Sequence, residues 1–315
     1  MRVVCITLLL VVTADLNLTN ALTNVLVTGA AGRTGALVFQ KLLADSRYNP
    51  VGVVRTEKSK KKLVKKMGCD PDNVVCSDIL SEEVLTESFK KASASKLVLC
   101  TSAVPKIKLW SILKVLIWKL FGKTARPLFR FIEKGDPYHV DYIGAINQFK
   151  ASKAAGIDQV VVVGSMGGSQ PENFLNTIGR KEGDEKSGNI LLWKRKAEKF
   201  LISLCQGKEA DSSSSSSGNS SSMSYTIVHP GGLIDKPGGE REIVFGVDDQ
   251  LLKEKVRNIP RGDVATVCVE ALSQEKAKNR SFDIIAKSPE DTTAPTSDFG
   301  AFFATTGDSV YEDET

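Results

Sequence analysis

Residues 25–35 have the sequence VLVTGAAGRTG, in which a short apolar run leads into three spaced glycines. The pattern is typical of a strand, a tight turn and the first turn of a helix. Gly29 permits the turn, Gly32 leaves room for a pyrophosphate beside the backbone, and Gly35 lets the helix pack closely. The helix N-terminus then offers free N–H groups and a positive dipole end to phosphates. A plain strand-to-helix turn explains one glycine but not three, so the stretch predicts dinucleotide binding.

Further apolar runs alternate with helical patterns along the chain. The runs lie at 25–27, 51–54, 74–76, 97–100, 160–163 and 225–228, and helical patterns lie at 35–43, 142–155 and 191–204. Runs without polar alternation indicate strands that are buried on both faces, as in a parallel sheet covered by helices. The alternation therefore predicts an α/β protein with a doubly wound parallel sheet.

The composition is that of an ordinary globular protein. The chain has 315 residues, of which 42% are hydrophobic and 25% charged, with a formal net charge of +5. These values exclude collagen-like, fully disordered and polytopic membrane proteins. The small excess of basic residues does not predict binding to nucleic acid. Two histidines and six scattered cysteines indicate neither a zinc site nor a disulfide framework, so we expect no metal.

The residue after the second apolar run indicates which dinucleotide binds. NAD-binding proteins of this architecture place Asp or Glu there to accept hydrogen bonds from the ribose 2′-hydroxyl. This chain has Arg55 instead, and Arg33 in the glycine turn is a second cation for the same corner. A guanidinium can donate two hydrogen bonds to one phosphate, and six lysines within 58–66 add positive charge. The pattern predicts NADP, with NAD as the less favoured alternative.

Several motifs in the same order resemble the atypical short-chain dehydrogenase/reductases, namely the NmrA-like and Tic62-like NAD(P)-binding proteins and a plant subgroup of them. The turn at 28–35 has the TGAxGRTG form of that family. Other similar segments lie at 54–55, 77–79, 99–106, 162–168, 193–198, 225–228, 230–233 and 261–265. The resemblance covers roughly residues 24–305. It implies one Rossmann-like domain with a small C-terminal substrate lobe and a cleft of the size of NADP.

The resemblance also implies which residues hold the cofactor. By position, Asp78 would contact the adenine, and residues 101–104 would line the ribose and nicotinamide side. With the glycine turn, the arginine and a helix lysine, the predicted cofactor-binding residues are Gly29, Ala31, Gly32, Arg33, Thr34, Gly35, Arg55, Asp78, Ile79, Thr101, Ser102, Ala103, Val104 and Lys196.

The catalytic residues of ordinary short-chain dehydrogenases are only partly present. Those enzymes use Ser to orient a carbonyl, Tyr as general acid, and Lys four residues later to lower the pKa of the Tyr. By the resemblance, Ser165 and Lys196 are the candidate catalytic residues, although Ser165 is equally well explained as a turn residue. Leu192 occupies the Tyr position and cannot transfer a proton. Tyr138 and Tyr142 are candidate substitute acids.

Two classes of function follow from these residues. The first is an oxidoreductase that moves a hydride between NADPH and a small carbonyl or quinone compound. The second is a non-catalytic NADP-binding sensor or docking protein, which Leu192 favours. Two further polar residues are interpreted as structural: His229 as a buried, satisfied histidine rather than a cleft residue, and Lys194 as a solvated helix residue.

The first 21 residues have a pattern of their own. Arg2 precedes an apolar run at 3–12, and the small residues Thr19 and Ala21 follow it. The pattern resembles a signal or targeting leader, with an extra strand or a wrongly assigned start as the alternative. The run is too short to span a bilayer, which needs about 20 apolar residues. A real leader directs the protein to the secretory pathway or an organelle, the plastid included; otherwise the protein is cytoplasmic.

Three segments interrupt or follow the domain predicted for 22–290. Residues 106–135 form a lid-like insertion whose part 106–130 is apolar and basic, which predicts a docked amphipathic helix or weak contact with a membrane surface. Residues 207–224 contain a serine-rich loop that is too polar to fold. The segment 291–315 ends in an acidic tail and is expected to be held loosely. Neither the substrate nor the oligomeric state follows from the sequence.

Overall fold

A computed structural model describes residues 22–122, 127–208 and 223–305, together with Gly307 and Ser309. The predicted leader at 1–21 lies outside the described residues, as do most of the serine-rich loop and the end of the acidic tail. The interpretations of those segments therefore stay predictions.

The described chain contains twelve strands. They are β1 (Thr23–Thr28), β2 (Tyr48–Val54), β3 (Val74–Cys76), β4 (Lys96–Leu99), β5 (Lys106–Ile107), β6 (Phe129–Arg130), β7 (Gln159–Val163), β8 (Ser224–Pro230), β9 (Gly232–Ile234), β10 (Ile243–Gly246), β11 (Asn258–Pro260) and β12 (Arg280–Ala286). Eight of them form one sheet in the order β10-β12-β8-β7-β4-β1-β2-β3. Within that sheet only the edge strand β10 is antiparallel to its neighbour.

Helices connect and cover these strands. The α-helices are α1 (Arg33–Ala44), α2 (Glu57–Met67), α3 (Glu82–Ala92), α4 (Leu109–Leu120), α5 (Gly144–Ala154), α6 (Ile190–Cys205), α7 (Arg261–Ala271) and α8 (Phe299–Ala304). A π-helix, Tyr138–Ile143, runs directly into α5, and short 3₁₀ helices lie at Pro71–Asn73, Phe174–Thr177, Gln250–Lys253 and Glu275–Ala277.

Both faces of the large sheet are buried under helices. Because successive side chains of a strand point to opposite faces, Val25 and Val27 of β1 join a core with α1 and α7, whereas Leu26 joins a core with α3, α5 and α6. The predicted doubly wound, mostly parallel α/β sheet is confirmed. Strand β1 is flanked by β2 on one side and by β4 on the other, so the strand order reverses at β1. In sheets of this kind, ligands bind in the crevice at the carboxyl ends of the strands where the order reverses.

The C-terminal part of the chain is more firmly packed than the sequence predicts. Strands β10 and β12, which lack long apolar runs, extend the large sheet, while β9 pairs with β11 in a small separate sheet. In α8, Phe302 and Phe303 are buried against Phe282 of β12, with ring centroids 6.4 and 5.8 Å apart. The expectation of a loosely held segment is therefore wrong for residues 299–304.

The insertion after β4 also differs from its prediction. Strands β5 and β6 form a two-stranded antiparallel base, and α4 lies between them in the chain. Most of the large apolar side chains of α4 are exposed, so the prediction of a docked amphipathic helix is wrong. None of the helices in the described ranges has the length and apolar character needed to cross a bilayer.

Candidate cofactor-binding and active site

The glycine turn between β1 and α1 is shaped by backbone contacts that exclude side chains. Gly29 has a φ of 67°, in the left-handed region, and a Cβ there would lie 2.8 Å from the carbonyl carbon of Cys100. A Cβ on Gly35 would overlap the carbonyl oxygen of Gly29. The Gly32 N–H donates to that same carbonyl oxygen at 2.7 Å, which closes the turn. Two of the three predicted glycines are therefore required by close packing.

The N-terminus of α1 is open to solvent. No side chain caps it, its first turn contains no acidic residue, and Ala31, Gly32 and Arg33 are exposed. The first N–H groups of a helix have no partner within the helix and attract anions. This arrangement fits the pyrophosphate of a dinucleotide, with Ala31, Gly32, Arg33 and Thr34 as the residues that would hold it.

The predicted adenosine-side residues follow neighbouring strands at the same edge of the sheet. Val54 pairs with Cys76, and the Ser77 N–H donates to the Val54 carbonyl at 2.9 Å, so Arg55 and Asp78 lie at adjacent strand ends. Both side chains are exposed. Arg55 is therefore accessible to a phosphate beside the glycine turn.

Arg33, the second predicted cation, has a partner of its own. Its Nη1 lies 3.4 Å from Asp235, which also accepts a 2.6 Å hydrogen bond from Arg261. Exposed ion pairs are worth only about 0–1 kcal/mol, so an arriving phosphate can compete with Asp235 for the guanidinium. Arg261 and Asp235 thus connect the glycine turn to the C-terminal part of the chain.

Residues 101–104 follow β4 and are held against α5 and the π-helix. The Thr101 hydroxyl accepts from the Gln148 amide at 3.1 Å, and the Ala103 N–H donates to Asp141 Oδ2 at 3.1 Å. Ser102 and Val104 are exposed. Asn147 donates to the carbonyl of Ile79 at 3.1 Å, which fixes that predicted residue near the same edge.

A small cavity lies beside this loop, between the ends of β4 and β7 and the start of α6. Its lining residues are Leu99, Thr101, Asp141, Ala145, Phe149, Val162, Val163, Gly164, Lys194, Ala197 and Glu198. The Lys194 ammonium lies 2.8 Å from Asp141 Oδ1, where the lysine side chain is 12% exposed and the aspartate side chain is buried. The contact is an ion pair outside hydrogen-bond geometry, so Oδ1 keeps the capacity to accept a hydrogen bond.

The π-helix places Asp141 in this cavity. In a π-helix the backbone hydrogen bonds join residues five apart in the chain, which rotates the residues that follow relative to an α-helix. Such turns are frequent at functional sites. The helix packs closely here, because a Cβ on Gly144 would lie 2.7 Å from the Ile79 side chain. The Ala103 N–H and Lys194 then hold the Asp141 carboxylate from two other elements.

A buried charge cluster lies next to the cavity. His229 of β8 has Nε2 3.2 Å from Glu198 Oε2 and Nδ1 3.5 Å from Asp283 Oδ1, and Arg195 Nη1 lies 3.8 Å from Glu198. Burial lowers the pKa of His229, but the charges of Glu198 and Asp283 outweigh it and raise that pKa to about 10. Burial likewise raises the pKa of Glu198, yet His229 and Arg195 hold it below its usual value.

The imidazole of His229 thus lies between two carboxylates that favour its protonated form. The interpretation of His229 as a buried, satisfied histidine is confirmed. Within the described ranges, no group of three or more His, Cys, Asp and Glu side chains is arranged to hold a metal ion.

The lysine of α6 that lines the cavity is Lys194, whereas the predicted site residue Lys196 is not among the lining residues. Lys196 is exposed, with its ammonium 4.8 Å from the ring centroid of Trp193. Two residues on a helix are about 200° apart at 3.6 residues per turn, so the two lysines lie on nearly opposite faces. The interpretation of Lys194 as a solvated residue is wrong, because its side chain is 12% exposed and its ammonium pairs with Asp141.

The remaining catalytic candidates are placed without a clear catalytic contact. The Ser165 hydroxyl is half-buried and donates to the carbonyl of Met166 at 3.1 Å, as a turn residue does. The rings of Tyr138 and Tyr142 pack on Trp193, with centroids 4.9 and 5.4 Å away. Leu192 is exposed on the outer face of α6. Ser165 thus stays a prediction.

The pair of Lys194 and Asp141 is the feature that sequence reasoning missed. A signal for the lysine was present, because Leu191, Leu201 and Ile202 mark the buried face of α6. Lys194 and Glu198 lie on that face by the i, i+3, i+4 periodicity of a helix. No comparable signal identifies Asp141, since the π-helix changes the periodicity at that point.

Known proteins share this sequence and this fold. A family model described as NAD(P)H-binding matches residues 29–275. A chloroplastic protein of Arabidopsis thaliana is 42% identical over 282 residues, which are 89% of this chain and 74% of that protein. Sanguinarine reductase of Eschscholzia californica is 37% identical over 292 residues, 89% of this chain and 94% of that protein.

A solved structure agrees with the fold. It is a Bacillus halodurans protein assigned to the NAD-dependent epimerases/dehydratases, with a TM-score of 0.60 and 21% identity over 90% of this chain and 100% of that chain. The chain belongs to the NAD(P)H-binding family, and the resemblance to the NmrA-like and Tic62-like atypical short-chain dehydrogenase/reductases is confirmed.

Proposed function

We propose that the protein is an NADP-dependent reductase that transfers a hydride from NADPH to a small carbonyl or quinone compound. The observation that carries the proposal is the ion pair of Lys194 and Asp141 in a cavity at the carboxyl edge of the sheet. The relationship to a sanguinarine reductase supports a reductase rather than another NAD(P)H-binding function.

The residues of the cavity have the chemistry that such a reduction needs. When bound, NADPH supplies the hydride. The Lys194 ammonium can donate a hydrogen bond to a substrate oxygen, and then a proton as negative charge develops there. Asp141 keeps the ammonium in place, and its own carboxylate is held by the Ala103 N–H at 3.1 Å. In this proposal Lys194 replaces the general acid that is missing at Leu192.

NADP is the proposed cofactor because Arg55 is accessible at the end of β2, where a carboxylate would favour NAD. We expect Arg55→Asp to weaken NADPH binding by well over tenfold and to spare NADH, since the 2′-phosphate loses its charged partner. Titration calorimetry with both cofactors measures the difference.

A matched control separates this local effect from a change in overall charge. Lys90→Asp makes the same charge change on an exposed residue in the last turn of α3. We expect it to leave both affinities near those of the wild type. Equal losses of NADPH and NADH affinity in Arg55→Asp would contradict the assignment of Arg55.

The alternative function is a non-catalytic NADP-binding sensor or docking protein. Leu192 favours it, because this exposed leucine occupies the position of the usual tyrosine acid and cannot transfer a proton. NADPH oxidation with a panel of quinones and aldehydes distinguishes the two functions. Background oxidation together with tight NADPH binding would support the sensor and contradict the reductase.

We also propose the plastid as the compartment. The Arabidopsis relative is named chloroplastic, and a leader is predicted at 1–21. Fluorescent fusions of the full chain and of a chain that begins at Leu22 test this proposal in plant cells. Plastid fluorescence that needs residues 1–21 supports it, whereas secretion or identical cytoplasmic fluorescence contradicts it.

A further inference from the structure

Helix α4 exposes a continuous apolar face. Leu113, Leu116, Ile117 and Leu120 have the i, i+3, i+4, i+7 spacing of one helix side. The Leu113 and Leu120 side chains are 61% and 85% exposed. Trp110 and Phe121 extend the face at its two ends, at 58% and 75% exposure. Exposed apolar surfaces of this kind mark sites of contact with a protein or a membrane.

The opposite side of α4 anchors the helix to the base of the insertion. Ser111 is buried; its hydroxyl donates to the Lys108 carbonyl at 2.6 Å and accepts from the Leu128 N–H at 2.9 Å. Lys106 pairs with Arg130 in the β5–β6 base below it. The apolar face is therefore held outward by contacts on the other side of the helix.

The charge of the part 106–130 has one sign. Residues 106–130 contain seven Lys and Arg residues and no Asp or Glu. By helix periodicity, Lys114 and Lys119 lie at the two borders of the apolar face. Lysines at such borders can extend their ammonium groups towards lipid phosphates while their stems cover apolar surface. This distribution is complementary to an anionic surface.

The length of α4 determines how it can contact a bilayer. Its 12 residues span about 18 Å at 1.5 Å per residue, whereas the hydrocarbon core of a bilayer is about 30 Å thick. The helix can thus lie in the plane of the interface but cannot cross it. Trp110, at one end of the apolar face, suits that depth because its ring is amphipathic.

We propose that α4 docks the protein on the surface of an anionic lipid bilayer, with its apolar face in the headgroup region. A second copy of the chain fits this face less well, because pairing two α4 helices would bring the basic borders together without any acidic residue from 106–130 between them. The combination of an apolar face with basic borders is that of interfacial helices that prefer anionic lipid.

Sedimentation of the full chain with vesicles tests the proposal. We expect binding to vesicles of phosphatidylcholine with phosphatidylglycerol, weak binding to phosphatidylcholine alone, and loss of binding as the salt concentration rises. Leu113→Gln/Ile117→Gln should weaken binding about a hundredfold through lost apolar burial. Lys114→Gln/Lys119→Gln should weaken it about thirtyfold, at about fivefold per lysine.

Matched controls use exposed residues elsewhere on the chain. Val84→Gln/Leu175→Gln removes two exposed apolar side chains, and Lys90→Gln/Lys91→Gln removes two exposed charges. Both controls should bind vesicles like the wild type. Circular dichroism of each variant shows whether it is folded before its binding is compared.

Tryptophan fluorescence gives an independent readout. Three tryptophans are present, of which Trp193 is buried and Trp110 and Trp118 are exposed. A blue shift with anionic vesicles, absent in Trp110→Phe/Trp118→Phe, supports docking through α4.

Three results would overturn the proposal. The first is no binding to either vesicle, and the second is equal binding to neutral and anionic vesicles. The third is a dimer that forms without lipid and becomes a monomer in Leu113→Gln/Ile117→Gln, since a second copy would then cover the face.

Discussion

Lys194 and Lys196 show how much depends on single positions along α6. Both are lysines in the same short motif, yet one forms an ion pair in the cavity and the other lies exposed over Trp193. The rotation of α6 about its axis therefore decides which of the two lysines faces the cavity. The structure identifies Lys194 as the candidate proton donor of the proposed reductase.

These two lysines form a matched pair of variants. We expect Lys194→Ala to lower kcat for carbonyl reduction by about 10²–10⁴-fold, the usual contribution of a general acid. Lys196→Ala should keep kcat within a factor of about two of the wild type, because its ammonium lies outside the cavity. Steady-state kinetics with NADPH, together with separate measurement of NADPH binding, give the comparison. Equal losses of kcat in both variants would contradict the assignment.

Among the elements, α8 departs most from its sequence prediction. The Thr- and Pro-rich composition around it predicts a loosely held segment, yet the spacing of Phe299, Phe302 and Phe303 gives the helix one apolar side. Phe303 is fully buried, and Phe302 packs against Phe245 with ring centroids 5.6 Å apart. A short helix can thus be stable through aromatic packing even when its neighbourhood in the sequence is polar.

The packing of α8 predicts a large effect of truncation. We expect Phe303→Ala to lower the free energy of unfolding by about 3–5 kcal/mol, the usual cost of deleting a buried Phe side chain. Phe121→Ala is the control, because that ring is exposed directly after α4, and it should change stability by less than about 0.5 kcal/mol. Urea denaturation of both variants measures the difference. Similar stabilities of the two variants would show that α8 is not packed as described.

On the scale of the whole molecule, the charge cluster joins three elements distant in the sequence. Glu198 comes from α6, His229 from β8 and Asp283 from β12. Because the pKa of His229 is about 10 in the folded chain against an ordinary value of 6.5, the folded state binds the proton more tightly than the unfolded state does. The stability that results is complete below the unfolded pKa and is lost as pH rises through the folded pKa.

This linkage predicts a pH-dependent difference between two proteins. Between pH 6.5 and about 10 the wild type should lose unfolding free energy, and His229→Gln should lack this contribution. Denaturation at a series of pH values, with His139→Gln as the half-exposed control, gives the two slopes. Parallel pH profiles of the wild type and His229→Gln would mean that His229 is not protonated in the folded state at neutral pH.

Signals carried by contiguous residues were sufficient for the fold and for the cofactor class. The glycine turn at 25–35 and the apolar runs predict the doubly wound sheet, and the family relationship confirms NAD(P)H binding. These signals work because strand burial, turn conformation and helix start depend on neighbouring side chains and backbone angles.

The candidate site needed the tertiary structure. Asp141 meets Lys194 only because a π-helix and α6 pack on the same face of the sheet, and Glu198, His229 and Asp283 meet across three elements. The rotation of each helix about its axis is set by how its side chains pack against the sheet. That packing determines which lysine faces the cavity and which faces solvent.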